Sequence, residues 1–197
     1  MAKSPRAHHL SCGAGNDPPR FGERTLLDKV AKSPDPSTTI HSLQYRDAMS
    51  HFAGAVTIAT TDGPAGRRGV TVSAAVSASD NPPTLMVCLN RNREENRWFA
   101  ANGCFAINVL NDSHLALAEA FAGVGHLAMA QRFAIGAWGR LRTGAPVLKD
   151  SRVTLDCVVR GVQTVHTHDV LFGEVVATSD PKAGRALAYL ERRYTAI

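Results

Sequence analysis

From residue 55 onward the apolar side chains recur at a spacing of two in short runs, broken every ten residues or so by Gly, Pro, Asn and Asp. That is the period of half-buried strands. Residues 55–61 and 69–76 alternate and are rich in β-branched side chains, and Asp62-Gly63-Pro64-Ala65-Gly66 between them is strong turn chemistry. Asn81-Pro82-Pro83 is a second break. It is followed by residues 84–89, a continuous apolar run that predicts a buried strand. Residues 104–110 predict another strand, and residues 153–165 and 169–178 a pair joined at a His-rich turn. Helices are predicted over residues 43–52, over 94–102 with Gly103 closing it, and from Asp112 or Ser113 to Ala122 with Gly123 as stop. A last short helix is predicted over 184–190, and residues 124–150 read as irregular. Strands do not alternate regularly with helices, which argues against a doubly wound parallel sheet. The pattern predicts a mainly β chain with short helices, its strands forming a closed or nearly closed antiparallel barrel.

Residues 1–40 read differently. Pro5, Pro18, Pro19, Pro34 and Pro36 interrupt any regular element, and periodic apolar positions are few. A disordered N-terminal tail is predicted there, with one short turn of helix near residues 24–31, and a folded domain over 41–197.

Composition narrows the function classes. Of the 197 residues, 44% are hydrophobic and 20% charged, as in a globular domain. No apolar run approaches the ~20 residues that span a bilayer. The N-terminus lacks a signal-peptide core, so a cytoplasmic protein without membrane contact is expected. The net charge of +5 is scattered, and aromatics are only 6%. No stacking platform for nucleic acid results, whereas mild positive charge suits anionic substrates. Cys88, Cys104 and Cys157 sit in apolar strand-like runs without a C-x-x-C pair and are expected to be reduced thiols. His166 and His168 would share a strand face, but no third ligand has fitting spacing, so no metal site is predicted. Trp98 and Trp138 read as packing anchors.

Gly63, Gly66 and Gly69 form a G-x-x-G-x-x-G array. A phosphate loop must run from a strand into a helix. Here Val70, Thr71 and Val72 follow, so the glycines serve a hairpin. The next segment, Thr71, Ser73, Ala74, Ala75, Ser77 and Ser79, is crowded with small side chains. Such a strand either leaves room for something flat or packs tightly against another strand. The residues by themselves do not choose.

The ordered set of segments YRDAMSHFAGAVTIATTDGPAGRRGVTVSA, SDNPPTLMVCLNRN, NGCFAINVLN, AMAQRF, GAPVLKD, THDVLFGEV and LERRY covers about residues 43–196. It resembles the flavin reductase family with the FMN-binding split-barrel fold, especially the NADH:FMN reductases of pyrimidine utilisation and of two-component aromatic hydroxylases. The resemblance implies an antiparallel split β-barrel. It also implies an NAD(P)H-dependent flavin reductase, an oxidoreductase that reduces FMN with NADH or NADPH. Reduced flavin then passes to a partner flavin-dependent monooxygenase. FAD is the alternative flavin, and a homodimer is expected.

By the same resemblance Thr71, Val72, Ser73, Ala74 and Ser77 line the flavin ring. Asn90, Arg91, Arg93 and Asn96 hold the ribityl phosphate, Phe133 lies near the flavin, and His168 lies near the nicotinamide as the catalytic residue. Three positions depart from the family pattern: Arg93 where Ser is usual, His166 where Gly is usual, and Thr195 where close relatives often have His. No activated nucleophile or carboxylate pair is visible, which suits chemistry carried by a flavin. The competing readings are an FMN-binding electron carrier of the same fold without direct NAD(P)H oxidation, and a binding module acting through a basic tail.

Overall fold

A computed structural model describes residues 40–197. The predicted tail therefore lies outside the described residues, Ile40 excepted. Helix α1 (Ser42–Ser50) leads into β1 (Gly54–Ala55), β2 (Thr57–Thr61), β3 (Arg68–Val72), β4 (Ala75–Asp80) and β5 (Pro83–Asn90). A 3-10 turn (Glu94–Arg97), α2 (Trp98–Ala101) and β6 (Cys104–Val109) follow. Then come α3 (Leu115–Ala122), α4 (Met129–Ala134), β7 (Trp138–Arg140), β8 (Pro146–Leu148), β9 (Val153–Val165), β10 (His168–Thr178), β11 (Leu187–Leu190) and β12 (Arg193–Ala196). Among the described residues no helix is long and apolar enough to cross a membrane.

Seven strands form one antiparallel sheet in the order β3-β2-β6-β9-β10-β5-β4. Its two edge strands, β3 and β4, are consecutive in the chain, so the sheet curls until its ends meet at Ser73–Ala74. Cys88 N donates to Ala74 O across that meeting point at 3.1 Å. No ladder joins β3 to β5 beside it, and there the barrel is split. Inside lie Leu85, Val87 and Leu89 from alternate positions of β5, with Phe99, Phe105, Ile107, Val159 and Leu171. A second cluster, centred on Ile58, Leu110, Leu117 and Phe121, packs α3 against the sheet. Burying each such aromatic or branched side chain stabilises by about 1.5–3 kcal/mol.

The hairpin expected from the glycine array joins β2 to β3, with Thr61 paired to Arg68. Gly66 sits at φ +121°, a conformation that side chains other than glycine rarely adopt. Gly69 has a different reason: a Cβ there would lie 2.3 Å from the Phe121 ring.

Several elements differ from expectation. The predicted 94–102 helix is a 3-10 turn followed by α2, one short element after another rather than one helix. Residues 124–150 hold α4 and the β7–β8 hairpin. The last predicted helix is instead strand β11. Leu187 and Ala188, buried at 3% and 4% exposure, pair with Ala196 and Thr195 of β12, and Ala188 also pairs with Ala55 of β1; that pairing overrides helix propensity. A 3-10 turn, Asp112–His114, precedes α3, and Asn111 caps that turn, its Oδ1 accepting from Ser113 N at 3.0 Å; α3 itself starts after His114, whose side chain makes no capping bond. Cys88 and Cys157 are free thiols, whereas Cys104 is disulfide-bonded. Pairing depends on proximity in space, which residue spacing does not reveal.

Candidate active site

The split leaves a cleft of about 550 Å³ between β3 and the ends of β5 and β10. Its floor is β3 and the bend after it: Val70, Thr71, Val72, Ser73 and Ala74. As an edge strand, β3 carries backbone N–H and C=O groups on its outer side that no strand pairs. The Thr71 hydroxyl donates to Ala118 O at 2.6 Å, so its side chain anchors α3 and its backbone is what faces outward. The far wall is Cys88, Leu89 and Asn90 of β5, with His168 at the start of β10. Asn90 and His168 are paired neighbours in the sheet. Phe121, Ala122 and Gly123 at the end of α3 close one side, with His126 and Arg132 beyond them.

One end is strongly basic. Arg68, Arg93 and Arg132 all line it, and Glu95 is the one carboxylate among the lining residues. Burial pushes the Arg68 guanidinium below its usual range; Glu95 draws it back up, and Arg132 and Arg93 push it down. Arg132 Nε donates to Leu127 O at 2.8 Å, which holds that side chain against the loop before α4. Burial also raises the Cys88 thiol, so it stays protonated and unreactive near neutral pH.

Of the residues expected at the site, Thr71, Val72, Ser73, Ala74, Asn90, Arg93, Asn96 and His168 come together around this cleft. Three do not line it. Ser77 lies on β4 past the bend and is exposed. Arg91 turns to Asp169, with Nε 3.3 Å from its carboxylate, and its backbone N donates to Thr167 O. Phe133, 6% exposed, is packed edge-on against Phe121 and Trp138 at centroid distances of 5.0 and 4.9 Å. It walls a separate cavity of about 260 Å³ with Arg67 and Arg140. Its contact with the cleft is indirect, through the Phe121 ring. Arg68, Phe121, His126 and Arg132 line the cleft without having been signalled by the sequence.

His166 occupies the two-residue turn between β9 and β10 at φ +46°. The position does need the left-handed conformation that glycine would supply. His166 is not among the cleft-lining residues, so its bulk does not narrow the cleft. The neighbouring His168 Nδ1 lies 2.9 Å from the Thr167 hydroxyl. Among the described residues no group of three His, Cys, Asp or Glu side chains is placed to hold a metal ion.

A curled antiparallel sheet, split beside its edge strand over a polar cleft, defines the split-barrel class of flavin proteins. The family model of the flavin reductase like domain matches residues 49–197, and the chain belongs to that family. It is 44% identical over 171 residues to the FMN reductase (NADH) RutF of Agrobacterium fabrum, covering 87% of this chain and 97% of that protein. It is 47% identical over 153 residues to the protein of the same name from Variovorax paradoxus, covering 78% and 84%. Among solved structures, a Haemophilus somnus protein assigned as a flavin reductase matches with a TM-score of 0.76 and 36% identity, over 80% of this chain and all of that one. The nitrilotriacetate monooxygenase component B homologue of Mycobacterium thermoresistibile matches with a TM-score of 0.71 and 25% identity, over 79% and 86%.

Proposed function

We propose that this chain is a cytoplasmic, homodimeric NADH-dependent FMN reductase that supplies reduced flavin to a monooxygenase component. The observation that carries the reading is the cleft itself: an unpaired backbone edge and a floor of small side chains, with a cluster of guanidiniums at one end. A phosphorylated flavin needs these features, a flat polar-edged bed and a cationic end. The relatives named above are NADH-dependent FMN reductases, which favours NADH over NADPH and FMN over FAD. The component B homologue favours an oxygenase as recipient.

When bound, FMN supplies the hydride-accepting chemistry. The chain's own part is positioning. Backbone groups of Val72, Ser73 and Ala74 orient the ring edge. Arg93, with Asn90 beside it, faces the phosphate. His168 stands on the opposite rim, where a nicotinamide would lie against the ring, and Leu89 and Phe121 keep water from the interior. No general acid is required for a hydride passed between two stacked rings.

A homodimer is supported by α1. None of its residues is buried, and Leu43, Met49 and the following Phe52 are exposed at 62%, 42% and 70%. Several large apolar side chains exposed over one short segment favour a partner surface there. The electron-carrier alternative rested on His166 and Arg93 obstructing the nucleotide side. His166 at the turn, outside the cleft lining, removes half of that motive.

The direct experiment is NADH oxidation by purified protein with and without added FMN, followed by absorbance. Turnover that requires FMN is expected. Tight FMN binding without NADH oxidation would replace the proposal by the carrier reading.

A further inference from the structure

We infer that Arg68 is the residue that selects a flavin bearing a terminal phosphate over one without it, and that Asn96 is the positioning residue that aims Arg68 into the cleft. The inference rests on the flavin-binding reading above and assigns its discrimination to two particular side chains.

Arg68 opens β3 at the basic end of the cleft. Its Nε donates to Asn96 Oδ1 at 3.1 Å, and its two terminal nitrogens have no hydrogen-bond partner among the described residues. The guanidinium is thus gripped at its stem with its fork left open. A planar fork of that kind matches two oxygens of a phosphate. The local charge points the same way. Arg132 and Arg93 repel Arg68, burial disfavours its cation, and Glu95 offsets only part of this. A dianionic phosphate at this point would relieve all three guanidiniums, while a neutral ribityl hydroxyl would relieve none.

Asn96 is not held free for a phosphate in the way the resemblance implied, because most of its amide is committed within the fold. It is 6% exposed, and both ends of its amide are engaged: Oδ1 accepts from Arg68, and Nδ2 donates to Asn90 O at 2.9 Å. Its backbone N donates to Arg93 O at 3.0 Å. One buried amide therefore ties the start of β3 to the end of β5, and it does so across the split. One Nδ2 hydrogen is left over, and through its Oδ1 the side chain acts on a ligand by way of Arg68.

The test is equilibrium binding of FMN and of riboflavin to the full-length protein, read by flavin fluorescence, for the wild type, Arg68→Gln and Asn96→Ala. Wild type is expected to bind FMN more tightly than riboflavin. Arg68→Gln is expected to lose FMN affinity by roughly 10- to 100-fold, the range of a charge-assisted fork, with little change for riboflavin. Asn96→Ala should move in the same direction by less, and Asn96→Asp, which keeps the acceptor for Arg68, should retain more discrimination than Asn96→Ala. Equal loss of both flavins in Arg68→Gln would make Arg68 a structural residue and overturn the inference. So would wild-type binding that fails to distinguish FMN from riboflavin, which would leave the flavin-binding reading intact. Absence of binding of either flavin to wild type would overturn both.

Discussion

Asn102 and Gly66 are joined by a hydrogen bond from the Asn102 amide nitrogen to the Gly66 carbonyl at 2.9 Å. The same side chain donates to Thr61 Oγ1 at 3.0 Å and accepts from Ala65 N at 2.9 Å. One residue, 4% exposed at the end of α2, thus satisfies three polar groups of the β2–β3 turn. Asn102→Ala would strand the Gly66 carbonyl and the Ala65 N–H, while the Thr61 hydroxyl keeps its bond to Cys104 O at 2.8 Å, and stability should fall by about 2–3 kcal/mol. Thermal unfolding should drop by roughly 4–12 °C. An unchanged midpoint would mean that water replaces the side chain.

Gly69 is predicted to couple packing to ligand binding. Gly69→Ala drives a methyl into the Phe121 ring, which is 1% exposed and packed edge-on against Phe133 and Trp138, and Phe133 itself lies 3.3 Å from the added carbon. Overpacking should cost about 1–3 kcal/mol. Because Phe121 lines the cleft, FMN affinity should fall as well. Calorimetry and flavin titration on one preparation check both, and loss of stability alone would separate Phe121 from the ligand.

His166 should be a stability defect rather than a chemical feature. In the left-handed region a side chain costs roughly 1–2 kcal/mol, offset in part by the greater entropy that glycine loses on folding. His166→Gly is therefore expected to gain about 0.5–1 kcal/mol in denaturant unfolding with NADH turnover unchanged. A fall in turnover would show that His166 reaches the nucleotide after all.

Asp156 gives a pH signature of unusual sign. It is fully buried and accepts from Thr143 N at 2.8 Å and from the Thr143 hydroxyl at 2.5 Å. Burial nevertheless raises its carboxyl above the usual range. The native state then holds a proton at pH values where the unfolded chain has released it, so stability from this group falls as pH rises above the ordinary carboxylate range. The stability of wild type relative to Asp156→Asn should therefore increase as pH is lowered toward 4, measured by urea unfolding at several pH values. The opposite slope would mean that the Thr143 bonds outweigh desolvation.

The long β9–β10 hairpin was legible because its period-two pattern runs for more than ten residues on each side of an obvious turn. The β11 strand was not, because Ala, Leu and Arg around it favour helix, and its pairing with β12 on one side and distant β1 on the other decides otherwise. The site divides in the same way. Thr71 to Ala74, Asn90, Arg93, Asn96 and His168 lie on segments whose order along the chain carries the family likeness. Arg68 and Arg132 lie on such segments too, but that Arg68, Phe121, His126 and Arg132 share one cleft follows from α3 and α4 folding over β3, a juxtaposition that no local pattern encodes. Arg91 and Phe133 show the converse. Asn90 and Arg93 beside Arg91 line the cleft, but Asp169 claims the Arg91 side chain and the ring cluster around Trp138 claims Phe133.

The Arg91–Asp169 ion pair and the Arg91 N to Thr167 O bond form a clasp between the turn that carries Arg93 and the hairpin that carries His168. The two rims of the cleft are therefore not independent jaws. A change that loosens the hairpin also frees the turn, so defects in holding one half of a bound pair of molecules would surface as defects in holding the other.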